Sequence, residues 1–548
     1  MRLDGKREGF RQAMTWLHTW VGLLLGWLLF AIFLTGTLAF FKLELNHWSR
    51  PELRGLPQQP LALTAAQLAQ VDAQMHQWAP QAQSWRLQLA EQRNPALGLG
   101  WREPPAQPGG RARFEQRQLD PRSLAPIAAR ETFGAGEFFY RFHFELRSAQ
   151  QSQWIVAGRW LVGLATFAML LALLTGIVAH RRFFKDFFTF RPRAKSAQRV
   201  WLDAHNVSGV LVLPFHLLIT FSGLMIFHSL YMPAGIAAVY GLSGGTYFNE
   251  LAGDPLPASR GLRPLAGQTQ ALPQLGSAQW QAMLDQAQRQ WPGGRIASIS
   301  LLREGGATLV EFARHDGDRL QYRSPRLLFD AQTGALKHLA DTDQLAARSY
   351  GVLYGLHVAR FADLPLRWLL FGLGLPGSAM VGSGLMLWAA KRQAERQRRG
   401  LREPDLGQRL VNTLNLGAIV GLPIAIAVFF HANRLLPLGL AERPDRELQC
   451  FFAAWGLSLL HAAWWPNRRG WTQQLALAAL CFAALPLVNA ANSGAHLGYS
   501  LAHGEWLLAA VDLGFVGAAM LLAALAWHSA RGQPPRRVGA APLTLGRA

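Results

Sequence analysis

Eight runs of apolar residues, roughly 16–41, 156–180, 205–230, 367–390, 411–431, 448–465, 473–491 and 506–528, are each long enough to cross a bilayer. No other feature narrows the fold as far. The runs predict a mainly α, polytopic membrane protein of about eight transmembrane helices. The first run continues for a full span with no small-residue cleavage site after it, so it reads as an anchor rather than a cleaved signal. Half of the residues are hydrophobic, with 20 Trp and 31 Phe, which excludes a disordered chain.

A formal charge of +21 points first to nucleic acid, but its distribution argues otherwise. Segments 1–15, 181–204, 391–410, 466–472 and 531–548 carry 4, 7, 7, 2 and 4 Lys/Arg and fall alternately between the runs. On the other side, 432–447 has three Arg offset by Glu442, Asp445 and Glu447, and 492–504 has none. This asymmetry predicts that both termini are cytoplasmic. It gives the charge a partner in anionic membrane lipid rather than in nucleic acid. Cys450 and Cys481 both fall within predicted spans, so no disulfide framework is expected.

Two long segments then face outward, 42–155 and 231–366. Each has a short helical pattern, around 63–78 and 277–291, followed by strand-like runs. Among the latter, Asp330–Gly334 predicts a tight turn between alternating strands. One helix on a small antiparallel sheet is expected for each. The remaining divisions are 1–41 (N-terminus and first span), 156–230 (second and third spans around a basic loop), 367–390 (fourth span), 391–410 (basic loop), 411–528 (a four-helix membrane extension) and 529–548 (tail).

The first four spans repeat internally. His18 precedes Gly22 and Thr35-Gly36 at the offsets with which His205 precedes Gly209 and Ser222-Gly223. YRFHFELR at 140–147 matches YGLHVAR at 354–360. An internal duplication would set equivalent histidines about a pseudo-twofold axis. Within Trp201–Phe227, read as one helix, His205 and His216 lie ~16 Å apart along the axis and ~20° apart around it. Two imidazoles on one face, three turns apart, suit a helix serving two cofactors at different depths.

The stretches WLHTWVGLLLGWLLFAIFLTGTLAF, GIVAHRRFFKDFFTFRP, WLDAHNVSGVLVLPFHLLITFSGL, LLFDAQTGAL and LHVARFADLPLRWLLFGLGLPGSAMVGSGLMLW resemble the PepSY-associated transmembrane helix family, which includes iron-regulated membrane proteins and siderophore reductases. The resemblance covers about residues 10–392. It implies two small α+β PepSY-like periplasmic domains, a bacterial inner-membrane location and bound haem b, two copies being expected. It also implies electron transfer to a periplasmic ferric chelate such as a ferric siderophore. LDPRSLAP departs from the family pattern where a D-x-x-T-G turn belongs.

Neutral imidazoles are good axial ligands for haem iron, and two of them fill both axial positions. His18 and His205, at matched depth near the cytoplasmic face, form one expected pair. For the outer haem three candidates stand, of which two are needed: His143, His357 and His216. Arg141, Arg147 and Arg360 flank the outer motifs, where a guanidinium would meet haem propionates or an anionic ligand. His180, His228, His431 and His528 read as span-end residues, and His461 has no partner in the pattern. RRFFKDFFTFRPR at 181–193 reads as an interfacial segment.

G-x-G-x-x-G, Walker, C-x-x-C and H-E-x-x-H patterns are absent. Electrons would therefore come from a membrane quinol or a separate flavoreductase. The expectation is a di-haem ferric-siderophore reductase. Its rivals are a peptide-binding or protease-regulating membrane protein without redox activity, and a transporter.

Overall fold

A computed structural model describes residues 9–57, 59–104, 113–146, 151–180, 189–194, 196–241, 245–252, 271–304, 307–401, 403–494 and 496–531, with backbone alone at 151–157, 245–246, 249, 252 and 304. Arg147, most of the 181–193 segment and the tail beyond Arg531 lie outside these residues. The chain opens with α1 (Phe10–Ala39) and α2 (Lys42–Trp48), then α3 (Ala65–Trp78), strands β1 (Ser84–Gln88), β2 (Leu97–Glu103), β3 (Arg113–Leu119) and β4 (Pro126–Ile127), and α4 (Ala135–Glu145). Helices α5 (Gln151–Ala179), α6 (Ala197–Leu211) and α7 (Leu213–Ile226) return through the apolar region, and α8 (His228–Tyr231), α9 (Pro233–Tyr240) and α10 (Gly245–Ala252) lead outward. There follow α11 (Ser277–Gln290), β5 (Ile296–Glu304), β6 (Ala307–Arg314), β7 (Arg326–Asp330), β8 (Leu336–Ala340), α12 (Leu345–Val358) and the long α13 (Leu364–Arg398). The extension comprises α14 (Leu406–Ile419), α15 (Gly421–Leu435), α16 (Arg443–Trp464), α17 (Arg468–Ser493), α18 (Leu497–Ala502) and α19 (Trp506–Arg531).

Among the described residues, six helical segments are long and apolar enough to cross a membrane, or seven if α6 and α7 together make one broken span. The run expected at 448–465 forms part of α16. That helix is 22 residues long but opens on Arg443, Asp445, Arg446 and Glu447, and it is not among the six. Cys450 and Cys481 are free thiols.

The expectation of one continuous helix through Trp201–Phe227 is corrected by a 70° bend between α6 and α7. Pro214 sits in the first turn of α7. Its ring removes a backbone donor and crowds the carbonyl four residues earlier, so the helix restarts in a new direction. His205 and His216 therefore do not share a face.

The two outer segments do not form two sheets. Their strands make a single antiparallel sheet of order β4-β3-β2-β1-β5-β6-β7-β8, joined at its centre by β1 and β5 with Arg86 opposite Ser300. Helices α3 and α11 cover one face. Leu68, Val71 and Met75 from the first and Trp280, Met283 and Ala287 from the second share one core with Trp85, Leu87, Ile299 and Leu301. Alternation sends every second strand residue into that core. The strand order reads the same outward from the centre in both directions.

LDPRSLAP makes the turn its sequence lacks. Leu124 N–H donates to Asp120 O at 2.8 Å and Arg122 N–H to Asp120 Oδ1 at 2.7 Å, as Gly334 N–H donates to Asp330 O at 2.8 Å and Gln332 N–H to Asp330 Oδ1 at 2.9 Å. Leu124 holds φ at 59° where Gly334 holds 70°. A left-handed leucine costs ~1–2 kcal/mol; here its side chain is fully buried in the shared core, which offsets that cost.

The sheet is tied to the apolar helices through Glu44 of α2. Its carboxylate accepts from Arg93 at 2.8 and 2.9 Å and also from Arg367 of α13. Burial pushes this carboxyl up, but the two guanidiniums outweigh that and hold it below the usual range.

Candidate paired-histidine sites

Four histidines meet in two pairs. The rings of His18 on α1 and His205 on α6 have centroids 6.0 Å apart, and those of His143 on α4 and His357 on α12 are 6.1 Å apart. Imidazole–metal bonds of about 2.0–2.1 Å put the centroids of two ligands on opposite sides of one ion roughly 6 Å apart.

In each case Nδ1 is engaged. His18 Nδ1 lies 2.9 Å from Ala172 O, His205 Nδ1 2.8 Å from Met380 O, and His143 Nδ1 2.8 Å from Ile32 O. His357 Nδ1 lies 2.9 Å from the Ser222 hydroxyl, which itself donates to Leu218 O at 2.6 Å. Carbonyl partners of this kind fix the tautomer with the proton on Nδ1 and leave Nε2 as the nitrogen free to bind metal.

Behind each ring stands a glycine. A Cβ on Gly176, Gly223 or Gly384 would come within 3.1 Å of His18, His357 or His205, and one on Gly36 within 2.6 Å of His143. These glycines follow Thr175, Ser222, Ser383 and Thr35. In three of the four cases the carbonyl bonded by the imidazole lies three residues before that hydroxyl residue. So α5 backs His18, α13 backs His205, α1 backs His143 and α7 backs His357. One local design occurs four times.

The H-x-x-x-G spacing noted in the sequence does not have this role. A Cβ on Gly22 would meet nothing within 4 Å, and one on Gly209 would face Met380. The informative signal was Ser/Thr-Gly, present at 35–36, 175–176, 222–223 and 383–384. We expect Gly36→Ala to abolish binding at the outer pair, because the added methyl collides with His143. Gly22→Ala should be neutral, or stabilising by up to ~1 kcal/mol as Ala replaces Gly in a helix. Ligand content and thermal unfolding of the two variants check both halves.

His216 joins neither pair. It is fully buried, with neither ring nitrogen hydrogen-bonded, and Phe33 stands edge-on at 5.8 Å. The bend at Pro214 turned it away from the line of His205. Arg141 is held on its own helix by Glu137 at 2.6 Å and Glu145 at 3.3 Å, and it does not line the outer cavity. Arg360 does line it, bound to Asp316 and lying over the Tyr322 ring at 4.9 Å. Lys42, Arg93 and Arg159, which the sequence did not single out, are cavity residues too.

That cavity has a volume of about 490 Å³ and holds His143 and His357. Leu29, Ile32 and Phe33 line it from α1, Gln88 from the end of β1, and Glu91 and Asp316 from the segments that follow β1 and β6. Its size is that of an ordinary cofactor or small-molecule site. Among the described residues no group of three or more His, Cys, Asp or Glu could hold a bare metal ion. Two imidazoles at metal-sharing distance suit an ion whose other positions come from a macrocycle.

The profile of the PepSY-associated TM region matches residues 15–391. The chain belongs to this PepSY-associated family. A Pseudomonas aeruginosa protein of similar sequence, named uncharacterized protein PA4219, is 29% identical over 406 residues, covering 69% of this chain and 92% of its own length. All four paired histidines and their glycines fall inside the family match, and α14–α19 fall beyond it.

Proposed function

We propose that this PepSY-associated protein is a b-type di-haem membrane reductase that passes electrons to a ferric chelate, such as a ferric siderophore, on the sheet side of the bacterial inner membrane. The observation that carries the reading is the pair of 6 Å imidazole couples, each ring held through Nδ1 and backed by a glycine.

His18 and His205 would hold one haem, and His143 and His357 the other. Bound there, haem supplies one-electron transfer without an open iron position for oxygen. The protein's own groups do the rest. Nδ1 partners orient the imidazoles and raise their basicity as ligands. The four glycines let the rings approach flat helix backbone. Lys42, Arg159 and Arg360 give the outer cavity cationic groups suited to propionates or to an anionic chelate. Gene duplication of a span–outer-segment–span unit accounts for the palindromic strand order and the fourfold repeat of the histidine seat.

Because the basic segments alternate with the outward ones, we place both termini in the cytoplasm. If the broken span and α16 both cross, there are eight spans. A quinol or a separate flavoreductase would deliver electrons at the His18–His205 end.

Purified, detergent-solubilised protein tests the reading. A Soret band, visible bands that sharpen on dithionite reduction, and two haems per chain by pyridine haemochrome are expected. A colourless protein would favour peptide binding without redox chemistry. Solute uptake by vesicles with no redox change would favour transport.

A further inference from the structure

No Asp, Glu, Lys or Arg occurs from Ala204 to Asn249. That uncharged stretch is about twice the ~20 residues one bilayer crossing uses. Helices α6 and α7 take up its first half, ending at Ile226. The surplus forms α8, α9 and the start of α10. In α9, PAGIAAVY, the only polar side-chain atom is the Tyr240 hydroxyl. Its eight residues reach ~12 Å, too short for a second crossing. The chain also stays on the sheet side, because β5 beyond it pairs with β1.

None of the residues of α9 is buried. Val239 is 76% exposed, and Met232, just before the helix, is 65% exposed. A helix that is apolar on every side is stable only inside protein or lipid. The internal repeat sharpens the contrast. In the first half α1 leads into α2, whose Trp48 is fully buried and donates through Nε1 to Asp512 of α19 at 2.9 Å. The extension thus covers the first half at this level. Among the described residues no element does the same for α9, which packs chiefly against α8 and α10.

Two features identify the missing cover. The bare surface continues the apolar side of the spanning helix α5, where Trp160, Leu161, Leu164 and Phe167 are exposed. The two surfaces join where Trp160 meets Tyr231, the last residue of α8, at 5.6 Å. The aromatic residues that bound α9 are Trp160, Tyr231 and Tyr240, of the types that gather at headgroup level. From there Tyr240 donates to Oε2 of the exposed Glu250 at 2.7 Å.

We propose that α8 and α9 lie within the bilayer leaflet on the sheet side, with Met232 and Val239 among acyl chains. They moor the second half of the molecule where the extension supports the first. Lipid is the partner because α9 carries no charge and continues the apolar side of a spanning helix. The placement also sets the depth of the outer cavity. Tyr231 lines that cavity and donates to Arg159 O at 2.9 Å, so the cavity flank on this side lies at headgroup level. Nothing in this placement requires haem.

Full-length protein reconstituted in phospholipid vesicles tests it. In a Cys450→Ala/Cys481→Ala background, a nitroxide is attached to Val239→Cys or to Gln290→Cys, the latter at an exposed position on α11. Power saturation with oxygen and with a water-soluble nickel chelate should give a several-fold higher oxygen-to-nickel ratio at 239 than at 290. A nickel-accessible label at 239 means that α9 stands in water. A label shielded from both reagents means that protein covers it, a second copy of the chain included. Either result overturns the proposal. Should the cysteine-free chain fail to fold, hydroxyl-radical footprinting of the unaltered protein in the same vesicles decides. Met232 should then stay unmodified while Phe114, 58% exposed on β3, reacts. Oxidation of Met232 at the rate of Phe114 or faster overturns the proposal.

Discussion

Replacing His18 by alanine is expected to halve the haem content of the purified protein, and His205→Ala to do the same. The double variant should lose no more than either single one. Two ligands to one ion act as a unit, so their effects do not add. His143→Ala and His357→Ala should behave alike at the other site, and a combination across the pairs, such as His18→Ala with His143→Ala, should yield colourless protein. His216→Ala discriminates further. It lies 0% exposed with both nitrogens unpartnered, and its ring meets Phe33 rather than another histidine. Its removal should leave both haems in place. Pyridine haemochrome counts on the purified variants decide the matter. Should His216→Ala lose a haem while His143→Ala keeps both, the outer pairing drawn here is wrong.

Much of this arrangement could be read from the chain, and the parts that could not have identifiable causes. Matching YRFHFELR to YGLHVAR found His143 and His357 as equivalents, and the offsets behind His18 found His205. The structure brings the members of each pair to 6.0 and 6.1 Å between ring centroids. The face expected to be shared by His205 and His216 is lost because helical geometry projects evenly only along an unbroken helix, and this one bends at Pro214. The four Ser/Thr-Gly seats were visible but unpaired, since the glycine that backs each ring sits on a different helix from the histidine. The single sheet was hidden for a similar reason: the β1–β5 pairing joins residues more than 200 positions apart. At Leu124 burial replaces glycine's freedom, and no local rule anticipates that. Arg141 looked like a ligand for an anion, yet two glutamates at helical spacing claim it first.

The extension, which the sequence left without a role, grips the helix that carries His143. Glu447 of α16 is wholly buried and accepts from Arg443 at 2.6 Å, Asn433 at 2.9 Å and Thr132 at 2.6 Å. Thr132 belongs to the segment leading into α4, and its hydroxyl also accepts from Gly134 N–H at 3.0 Å. One turn further on, Phe138 of α4 stacks on Phe429 at 4.9 Å and meets Phe451 edge-on at the same distance. Among the described residues, α12 packs chiefly against α7. Glu447→Ala leaves the Arg443 guanidinium buried without its counter-charge, and breaking a buried pair in this way costs about 3–5 kcal/mol. Glu447→Gln retains the shape and part of the hydrogen bonding, and should cost less. Because the loss falls on the mounting of α4, the outer haem should dissociate at a lower temperature than the inner one in Glu447→Ala. Thermal melts of the two haems, followed by their separate absorbance or redox signatures in detergent, measure this directly. Simultaneous release of both haems at an unchanged midpoint would mean that the extension merely covers α4 and does not hold it.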